Sequence, residues 1–437
     1  AIIIRNQVSQ FHKKKTIDFG DAEDIDLGDY FNFHNHTIYS SLQASSHLSD
    51  LVNSALENNF PAVGMVDLGN MMGAFKFVGE IEKANAARKK KHEEYSAGHP
   101  EEKNTSFREL VPVVGCEVYI SDRPEQKQFT KDDPDRRTNM VLLAKDFKGY
   151  KNLAKLSSMG FVNGFYFGVP RISRKMIEEY KEGIIAMTSG ISGDIPATIL
   201  EFGESKGEQL FRWWHDTFGE DFYVQLQNHG MEEEEYINDI LLRWADQYGV
   251  KILAQNETYY TRKSDANIQD ILFCIKDGEK LSSPVGKGFG KRKGLPTQEF
   301  YIKSQDELRQ TFRNYPDAFE AYTEFVAKFS PYKLKRDVLL PKFEIPEQFQ
   351  DPEDDADGGK RGENAYLKHL TMEGAKERYA EITPEIQERL DFELQIIAKT
   401  GYPGYFLIVQ DFCNEARKMG VWVGPGRGSA AGSAVAY

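Results

Sequence analysis

The chain contains a histidine pair of a type that binds metal ions. His34 and His36 form an H-x-H motif within FNFHNHTIYS, residues 31–40. Because side chains alternate along a strand, two imidazoles at this spacing point to one side and could supply two ligands of a metal site. Later predicted strands end in polar side chains, namely Asp67, Glu117, Asn139, His229 and Glu257. A barrel would gather these ends around the pair, whereas the alternative is a surface pair satisfied by hydrogen bonds.

A second candidate site lies in GVWVGPGRGSAAGSAVAY, residues 420–437. Glycines let the backbone approach a ligand closely, and the Ala-rich stretch could begin a helix whose N–H groups bind an anion. No Lys follows the second Gly as in a Walker A loop, and the sixth position of a dinucleotide fingerprint holds Ser429 or Ala431. The segment predicts a phosphate-binding site, or alternatively a packing turn. Its candidate residues are Gly424, Gly426, Arg427, Gly428, Ser429 and Ser433.

A third candidate is the basic segment GKGFGKRKG, residues 286–294. The chain has a net charge of −13, so only a local basic patch could attract a nucleic acid. Here an aromatic ring, Phe289, stands among cations in a Gly-rich setting, which favours contact with a phosphate backbone. The predicted DNA-binding residues are Lys287, Lys291, Arg292 and Lys293.

The elements that would position these sites alternate in type from Tyr30 onwards. Apolar, β-branched runs predict strands near residues 61–67, 110–120, 140–144, 183–188, 221–227 and 250–255, with amphipathic helices such as 233–248 between them. This alternation predicts a parallel sheet closed into a barrel, with functional loops at the strand C-terminal ends. Residues 351–362 are predicted as a polar linker, followed by helices at 366–379 and 383–399.

Composition narrows the class of protein. A chain of 437 residues with 40% hydrophobic content can form two or three domains. No apolar run is long enough to span a bilayer, and the first residues do not match a signal peptide. Cys116, Cys274 and Cys413 are far apart, which argues against a disulfide framework or a zinc knuckle. These features predict a cytoplasmic protein that does not act in a membrane.

The glycine-rich segment and the stretch GYPGYFLIVQDF, residues 401–412, closely resemble the start of the palm in the α subunits of bacterial DNA polymerase III, the replicative polymerases of family C. In that family the glycine–serine segment contacts the triphosphate of the incoming nucleotide. The resemblance implies a DNA primer–template and dNTPs as substrates, with a proofreading exonuclease subunit and a sliding clamp as partners. It also implies that the aspartates holding two Mg²⁺ ions lie beyond Tyr437, so this part alone should lack polymerase activity.

The motifs HNHTIYS, GMVDLGNMMGAFKF, VVGCEVY and NETYY resemble the PHP (polymerase and histidinol phosphatase) domain that precedes this palm. The resemblance implies an α/β fold: a PHP-type distorted (β/α) barrel followed by the N-terminal part of a nucleotidyltransferase-like palm. It also implies a leader at residues 1–29, a PHP domain at 30–265 and a truncated palm at 266–437.

Active PHP domains hold a cluster of divalent ions that hydrolyses phosphoester bonds, and several ligand positions of that cluster are altered here. The altered positions hold Gln43, Leu68, Asn139, Gly190 and Tyr259. These side chains are weak ligands or none, so too few donors remain for a multinuclear site. The remaining set of His34, His36, Glu117 and Glu257 could hold a single Zn²⁺ or Mn²⁺, or form a metal-free relic. The resemblance thus implies a hydrolytically inactive PHP domain; the alternatives are a metal-dependent phosphoesterase or 3′–5′ exonuclease, and a docking domain for a proofreading exonuclease.

Overall fold

The structure, a computed structural model, describes residues 25–98, 107–286, 290–336, 341–424 and 428–437. The predictions for residues 1–24, Lys287, Gly426 and Arg427 lie outside these ranges. The chain divides into two compact units, one ending at Lys335 and the other beginning at Arg336. Residues 266–335 therefore belong to the first unit, and the predicted domain boundary at 265/266 stays a prediction.

The first unit is built on eight strands in the part of it that the structure describes. They are β1 (Ala62–Leu68), β2 (Val111–Ile120), β3 (Thr138–Ala144), β4 (Phe165–Tyr166), β5 (Val169–Ile172), β6 (Ile184–Met187), β7 (Phe222–Leu226) and β8 (Ile252–Ala254). The strand order is β4-β5-β2-β3-β6-β7-β8, and β1 also pairs with β2. Each predicted strand is present, and most residues of these strands are buried.

Ten helices accompany these strands in the described part of the first unit. They are α1 (Leu48–Glu57), α2 (Ala74–Gly98), α3 (Phe147–Val162), α4 (Arg174–Glu179), α5 (Asp194–Phe202), α6 (Glu204–Phe218), α7 (Glu232–Tyr248), α8 (Ala266–Asp277), α9 (Gln305–Thr311) and α10 (Tyr322–Ala327). None of the helices in the described ranges is long and apolar enough to cross a bilayer.

The sheet is mixed, so the prediction of a wholly parallel sheet is wrong. β1, β5, β6, β7 and β8 have parallel partners, but β3 runs antiparallel to both β2 and β6. A parallel connection needs a crossover, usually a helix, whereas residues 121–137 between β2 and β3 contain no helix. The chain therefore returns directly along its neighbour at this point.

The segment that carries the H-x-H motif closes the barrel. On one side, Gly64 and Val66 of β1 donate backbone hydrogen bonds to Asn32 and Asn35 at 3.0 and 2.9 Å. On the other side, Thr258 donates to the His34 carbonyl at 3.0 Å. A Cβ on Gly64 would lie 2.3 Å from the Phe33 Cα, so β1 can approach the segment this closely only with glycine there. The predicted barrel-like α/β architecture is confirmed.

Residues that follow the predicted domain boundary fill one end of the barrel core. The Phe325 ring lies 5.7, 5.5 and 5.0 Å from the rings of Phe31, Phe33 and Tyr223. Tyr322 donates a hydrogen bond to the carbonyl of Ala254, at the end of β8. Helix α10 is therefore an integral part of the first unit.

The described residues of the second unit form four α-helices, α11 (Pro352–Asp357), α12 (Arg361–Arg378), α13 (Pro384–Thr400) and α14 (Pro403–Lys418). Leu367, Ile397 and Leu407 form its buried centre. The two predicted helices correspond to α12 and α13, but the predicted linker at 351–362 includes α11. Asp351 caps that helix by accepting from the Glu353 N–H at 2.9 Å, which explains how a polar sequence forms a helix here.

Candidate functional site

The two histidines of the H-x-H motif face one carboxylate. His34 Nε2 and His36 Nε2 lie 3.1 and 2.6 Å from the same atom, Oε2 of Glu117 on β2. All three side chains are buried. Both imidazoles therefore face the same carboxylate, as the motif predicts, although the segment forms only an isolated bridge at Asn35 and not a regular strand.

Glu257 completes a group of four potential ligands. His34, His36, Glu117 and Glu257 each offer one ligand atom, and these atoms lie within 4.8 Å of one another. The Tyr259 hydroxyl donates to Glu257 Oε1 at 2.6 Å, and its ring stacks on His36 with centroids 4.4 Å apart. The structure thus brings together the four predicted ligands, while metal binding by them stays a prediction.

The hydrogen bonds of His36 define where a cation could sit. Its Nδ1 lies 3.0 Å from the Thr258 carbonyl, which only accepts, so Nδ1 carries the hydrogen and Nε2 faces Glu117. A neutral imidazole would place a lone pair against the carboxylate, so the pair needs a proton or a metal ion between its atoms. Burial lowers the pKa of His36, but the bond to Glu117 and the charges of Glu117, Glu257 and Asp67 raise it above its ordinary value. The space between His36 and Glu117 therefore suits one cation.

His34 is oriented differently because amide groups contact its Nδ1. The Gln225 and Gln227 Nε2 atoms lie 2.6 and 3.2 Å from that nitrogen, which leaves the hydrogen on Nε2 as a donor to Glu117. Gln225 Oε1 is buried and has no hydrogen-bond partner among the described residues. Turning this amide would place Oε1 on an Nδ1–H group and free Nε2 for a metal. The residues therefore fit one ion, provided that the Gln225 amide turns.

The residues at the altered positions include neutral amides in place of charged or imidazole ligands. Asn139 donates to Glu117 Oε1 at 2.9 Å, and the Gln43 Oε1 accepts from Lys276 at 2.7 Å. A Cβ on Gly190 would lie 2.5 Å from Gln227 Oε1 and 3.0 Å from Glu257 Oε2, so this space holds no ligand side chain. None of the three residues Asn139, Gln43 and Gly190 offers a carboxylate or imidazole ligand to a second ion.

Asp67 and His229 serve structural roles here. The Asp67 carboxylate accepts from the Thr37 N–H and hydroxyl and from the Ser40 hydroxyl, at 2.6 to 2.8 Å. His229 Nδ1 lies 2.7 Å from Glu234 Oε1, and its ring stacks on Phe300. Asp67 lies close enough for its charge to raise the pKa of His36. The Asp67 oxygens are held by Thr37 and Ser40, and His229 is held by Glu234, so neither side chain belongs to the group of four potential ligands.

The basic cluster contains cations in different environments. Arg292 is only 6% exposed; its guanidinium forms an ion pair with Asp270 and donates to the Ser283 carbonyl at 2.8 Å. These bonds use N–H donors of the guanidinium group inside the protein. Lys291 is exposed, as expected for a phosphate contact.

Lys293 lies beside an aromatic ring. The residue is exposed, and its ammonium lies 5.2 Å from the centroid of the buried Phe273 ring. Burial lowers the pKa of Lys293, against the opposing charges of Asp277, Glu117 and Glu257. The sequence predicts Lys293 as a DNA-binding residue. The effect of the Glu117 and Glu257 carboxylates on its pKa could not be predicted from the sequence.

In the glycine–serine segment, Ser433 is held by a carboxylate from α13. Its hydroxyl donates to Glu393 Oε2 at 2.7 Å, and the Val435 N–H donates to the same atom at 3.2 Å. The Ala-rich stretch could begin a helix, and in the described residues it forms one 3₁₀ turn at Ser429–Gly432. Gly424 is exposed, and Gly428 has a φ of 130°, which side-chain-bearing residues rarely adopt.

Each of the two units contains a match to a known protein family. Residues 32–229 match the PHP domain family, and residues 365–437 match the family described as the bacterial DNA polymerase III alpha NTPase domain. A proposed metal-dependent phosphoesterase from Bifidobacterium adolescentis is similar over 64% of this chain and 95% of its own, with 13% identity. Its TM-score of 0.33 is too low to support an argument.

Full-length relatives give the same result. DNA polymerase III subunit alpha of Borreliella burgdorferi is 36% identical over 93% of this chain, and that of Aquifex aeolicus is 32% identical over 94%. The alignments cover 32% and 33% of the relatives, so the chain spans about a third of their length. The chain belongs to the family of bacterial DNA polymerase III α subunits and carries the PHP domain of that family.

Proposed function

We propose that the chain is part of a replicative DNA-directed DNA polymerase, which in its full-length form extends a primer along a template. The observation that carries this proposal is the presence of both the PHP match and the polymerase match on one chain. The substrates would be a DNA primer–template and dNTPs, and carboxylates of the full-length polymerase would bind the Mg²⁺ ions. A cytoplasmic location and partnership with a proofreading exonuclease subunit and a sliding clamp follow from the same proposal.

Within this polymerase, the glycine–serine segment would bind the nucleotide triphosphate. Arg427 offers a planar, permanently charged group that can bind two phosphate oxygens, and glycines on either side in the sequence let the backbone approach. Glu393 supports the segment by holding the Ser433 hydroxyl and the Val435 N–H. Lys287, Lys291 and Lys293 would be the remaining candidates for contact with the DNA backbone, since Arg292 is already paired.

The test is primer extension by the full-length protein with Arg427→Ala. Loss of a charge-assisted contact is worth about 1.5–3 kcal/mol, so nucleotide KM should rise or kcat should fall by about tenfold or more. Affinity for the primer–template should change much less. Arg417→Ala, which removes an exposed arginine from α14, is the matched control. Unchanged nucleotide kinetics in a folded Arg427→Ala protein would show that the segment is only a packing turn.

For the PHP domain we propose a barrel without hydrolytic activity that holds at most one ion, Zn²⁺ or Mn²⁺. His36, Glu117 and Glu257 would bind it, with His34 added once the Gln225 amide turns. A single structural ion stabilises the fold that binds it. Support for the loss of hydrolysis comes from Asn139, Gln43 and Gly190, whose contacts leave no carboxylate or imidazole for further ions.

Two measurements test this assignment. Elemental analysis of protein purified without added metal should give no more than one equivalent of Zn²⁺ or Mn²⁺. Nuclease and phosphatase assays with either ion should show negligible turnover. Turnover that disappears in both His36→Ala and Glu117→Ala would instead establish a working phosphoesterase.

A further inference from the structure

An exposed phenylalanine occupies the tight turn between β4 and β5. Phe167 and Gly168 form a two-residue connection with φ values of 45° and 76°, the signs of a type I′ turn. Such turns favour Asn or Gly at the first position, because bulky side chains are strained at positive φ. Phe167 is also 82% exposed. The strained backbone and the exposed ring of Phe167 both reduce the stability of the fold. Strained positions of this kind concentrate at functional sites.

Other apolar side chains surround this ring and form what we call the hairpin patch: Phe161, Val162, Phe165 and Phe167. Phe161 and Phe165 are 39% and 46% exposed, and Val162 is 83% exposed. The rings of Phe161 and Phe165 stack with centroids 5.8 Å apart, and Tyr166 packs edge-on against Phe167 at 4.6 Å. The patch therefore presents several aromatic surfaces side by side.

Two cations hold the backbone beneath the hairpin patch. The fully buried Arg171 donates to the Gly164 carbonyl at 3.0 Å and lies 4.9 Å from the Tyr166 ring centroid. Lys127 donates to the carbonyls of Asn163 and Phe165 at 3.1 and 2.7 Å. The backbone that carries the rings is thus held in place, which lowers the entropy cost of binding a ligand.

A row of lysines on α3 leads to the patch. Lys148, Lys151 and Lys155 are exposed and spaced three and four residues apart, so they share one helix face, which Val162 continues. Residues 147–177 contain six cations and no acidic residue, the longest acid-free run in a chain of net charge −13. Lys148 pairs with Glu182 at 3.2 Å, but both are exposed and such pairs are weak. Positive charge therefore borders the aromatic surface.

We infer that the hairpin patch and the lysine row of α3 form a binding surface for single-stranded nucleic acid. Exposed rings stack on bases of any identity, and lysines along the same path neutralise the phosphates. An apolar protein surface would fit the rings but would not need the lysine row beside them, so charge favours the nucleic acid. This inference does not rest on polymerase activity.

The first test uses fluorescence anisotropy of the 437-residue chain with an oligothymidine of about 20 nucleotides at low salt. Phe167→Gly should weaken binding by about fivefold or more, because a stacking ring is lost. Its melting temperature should stay the same or rise, since glycine suits the turn. A structural role for Phe167 would lower the melting temperature instead.

An abasic strand of equal length separates stacking from charge. Wild-type protein should bind it more weakly than oligothymidine, and Phe167→Gly should show a smaller difference in affinity between the two strands, because one of the stacking rings is lost. The double variant Lys151→Gln/Lys155→Gln should flatten the salt dependence, lowering the slope of log affinity against log salt by about 1.4. Lys89→Gln/Lys91→Gln, which removes two exposed lysines from α2, should leave affinity and slope unchanged.

Two outcomes would overturn the inference. One is unchanged oligothymidine affinity in Phe167→Gly, and the other is wild-type protein that does not distinguish the base-containing from the abasic strand. Both are the results expected of a patch that docks a protein.

Discussion

At the scale of single residues, a buried arginine organises the loop between β2 and β3. Arg171 is fully buried, and its guanidinium forms an ion pair with Asp135 at 2.7 Å. The same group donates to the carbonyls of Pro124 and Gln126, each at 2.7 Å. Five donors in a fixed plane can satisfy several acceptors at once, which a lysine cannot do. A loop without helix or strand is thereby tied to β5.

Arg171→Ala should therefore destabilise the protein strongly. Removing one partner of a buried ion pair costs about 3–5 kcal/mol, because the remaining charge and carbonyls lose their partners. Urea unfolding followed by circular dichroism measures the change. Arg123→Ala is the control, since Arg123 and Asp133 are both about half exposed and solvent screens their pair, which should contribute little to stability. Equal losses in the two variants would contradict a special role for the buried group.

Glu393 gives the second unit a pH-dependent anchor. Burial raises the pKa of Glu393, but hydrogen bonds from Ser433, Val435, Arg389 and Ala434 outweigh it and hold the pKa below its ordinary value of 4.5. A carboxyl group whose pKa is lowered in the folded state adds stability above its unfolded pKa. That stability is lost as the pH falls through the folded pKa.

We therefore expect Glu393→Gln to weaken the end of the described chain at pH 7 but not in acid. The Val435 N–H should lose protection from hydrogen exchange by an amount equal to about 1.5–3 kcal/mol at pH 7. The difference from wild type should shrink as the pH falls below 4.5, where the wild-type group also takes up a proton. Glu388→Gln, on an exposed position of α13, should have little effect at either pH. A pH-independent loss in Glu393→Gln would point to packing instead.

How far the site could be predicted depends on which residues contact each other. The H-x-H pair, Glu117 and Glu257 were predictable because each lies in or beside an extended segment that the apolar pattern indicates, and such segments lie side by side in a barrel. The amide of Gln225 and the ammonium of Lys293 were not, because their directions depend on contacts with His34 and Phe273, which are distant in the sequence. Likewise, the pairing of Arg292 with Asp270 converts a predicted DNA contact into an internal ion pair.

At the scale of elements, a glycine allows helix α3 to pack closely against the residue that precedes β6. Gly149 lies in the first turn of α3, and a Cβ there would be 1.9 Å from the carbonyl oxygen of Gly183. Gly79 in α2 has nothing within 4 Å of the equivalent position. The strand–helix alternation was readable from the apolar pattern, but these approach distances, like the reversed direction of β3, depend on tertiary packing and loop geometry.

The two glycines predict opposite effects of the same substitution. Gly149→Ala should destabilise the protein by about 1–3 kcal/mol or more, because α3 must move away from the loop before β6. Gly79→Ala should stabilise it by about 0.5–1 kcal/mol, since alanine is the better helix former at an exposed position. Urea unfolding of both variants gives the comparison. A loss of stability in both would show that the spacing at Gly149 is not what limits the helix.

At the scale of the whole molecule, the compact first unit extends past the predicted domain boundary. Apolar periodicity ends the strand–helix pattern near residue 265, and the family resemblance places the polymerase part after it. The aromatic contacts of Tyr322 and Phe325 with the barrel were not predictable, because they join residues almost 300 positions apart, such as Phe31 and Phe325. Folding of the barrel should therefore depend on a segment that sequence reasoning assigned to the next domain.

Truncation tests this dependence. A chain ending at residue 335 should unfold in one cooperative transition, with the near-ultraviolet dichroism of ordered aromatic rings. A chain ending at 265 should lose both properties, because Phe31, Phe33 and Tyr223 would no longer be covered by Phe325. Within the intact chain, Phe325→Ala should cost about 3–5 kcal/mol, the usual effect of removing a buried aromatic ring. If the chain ending at 265 unfolds cooperatively at the same midpoint as the longer one, α10 is an accessory to the barrel and not part of its core.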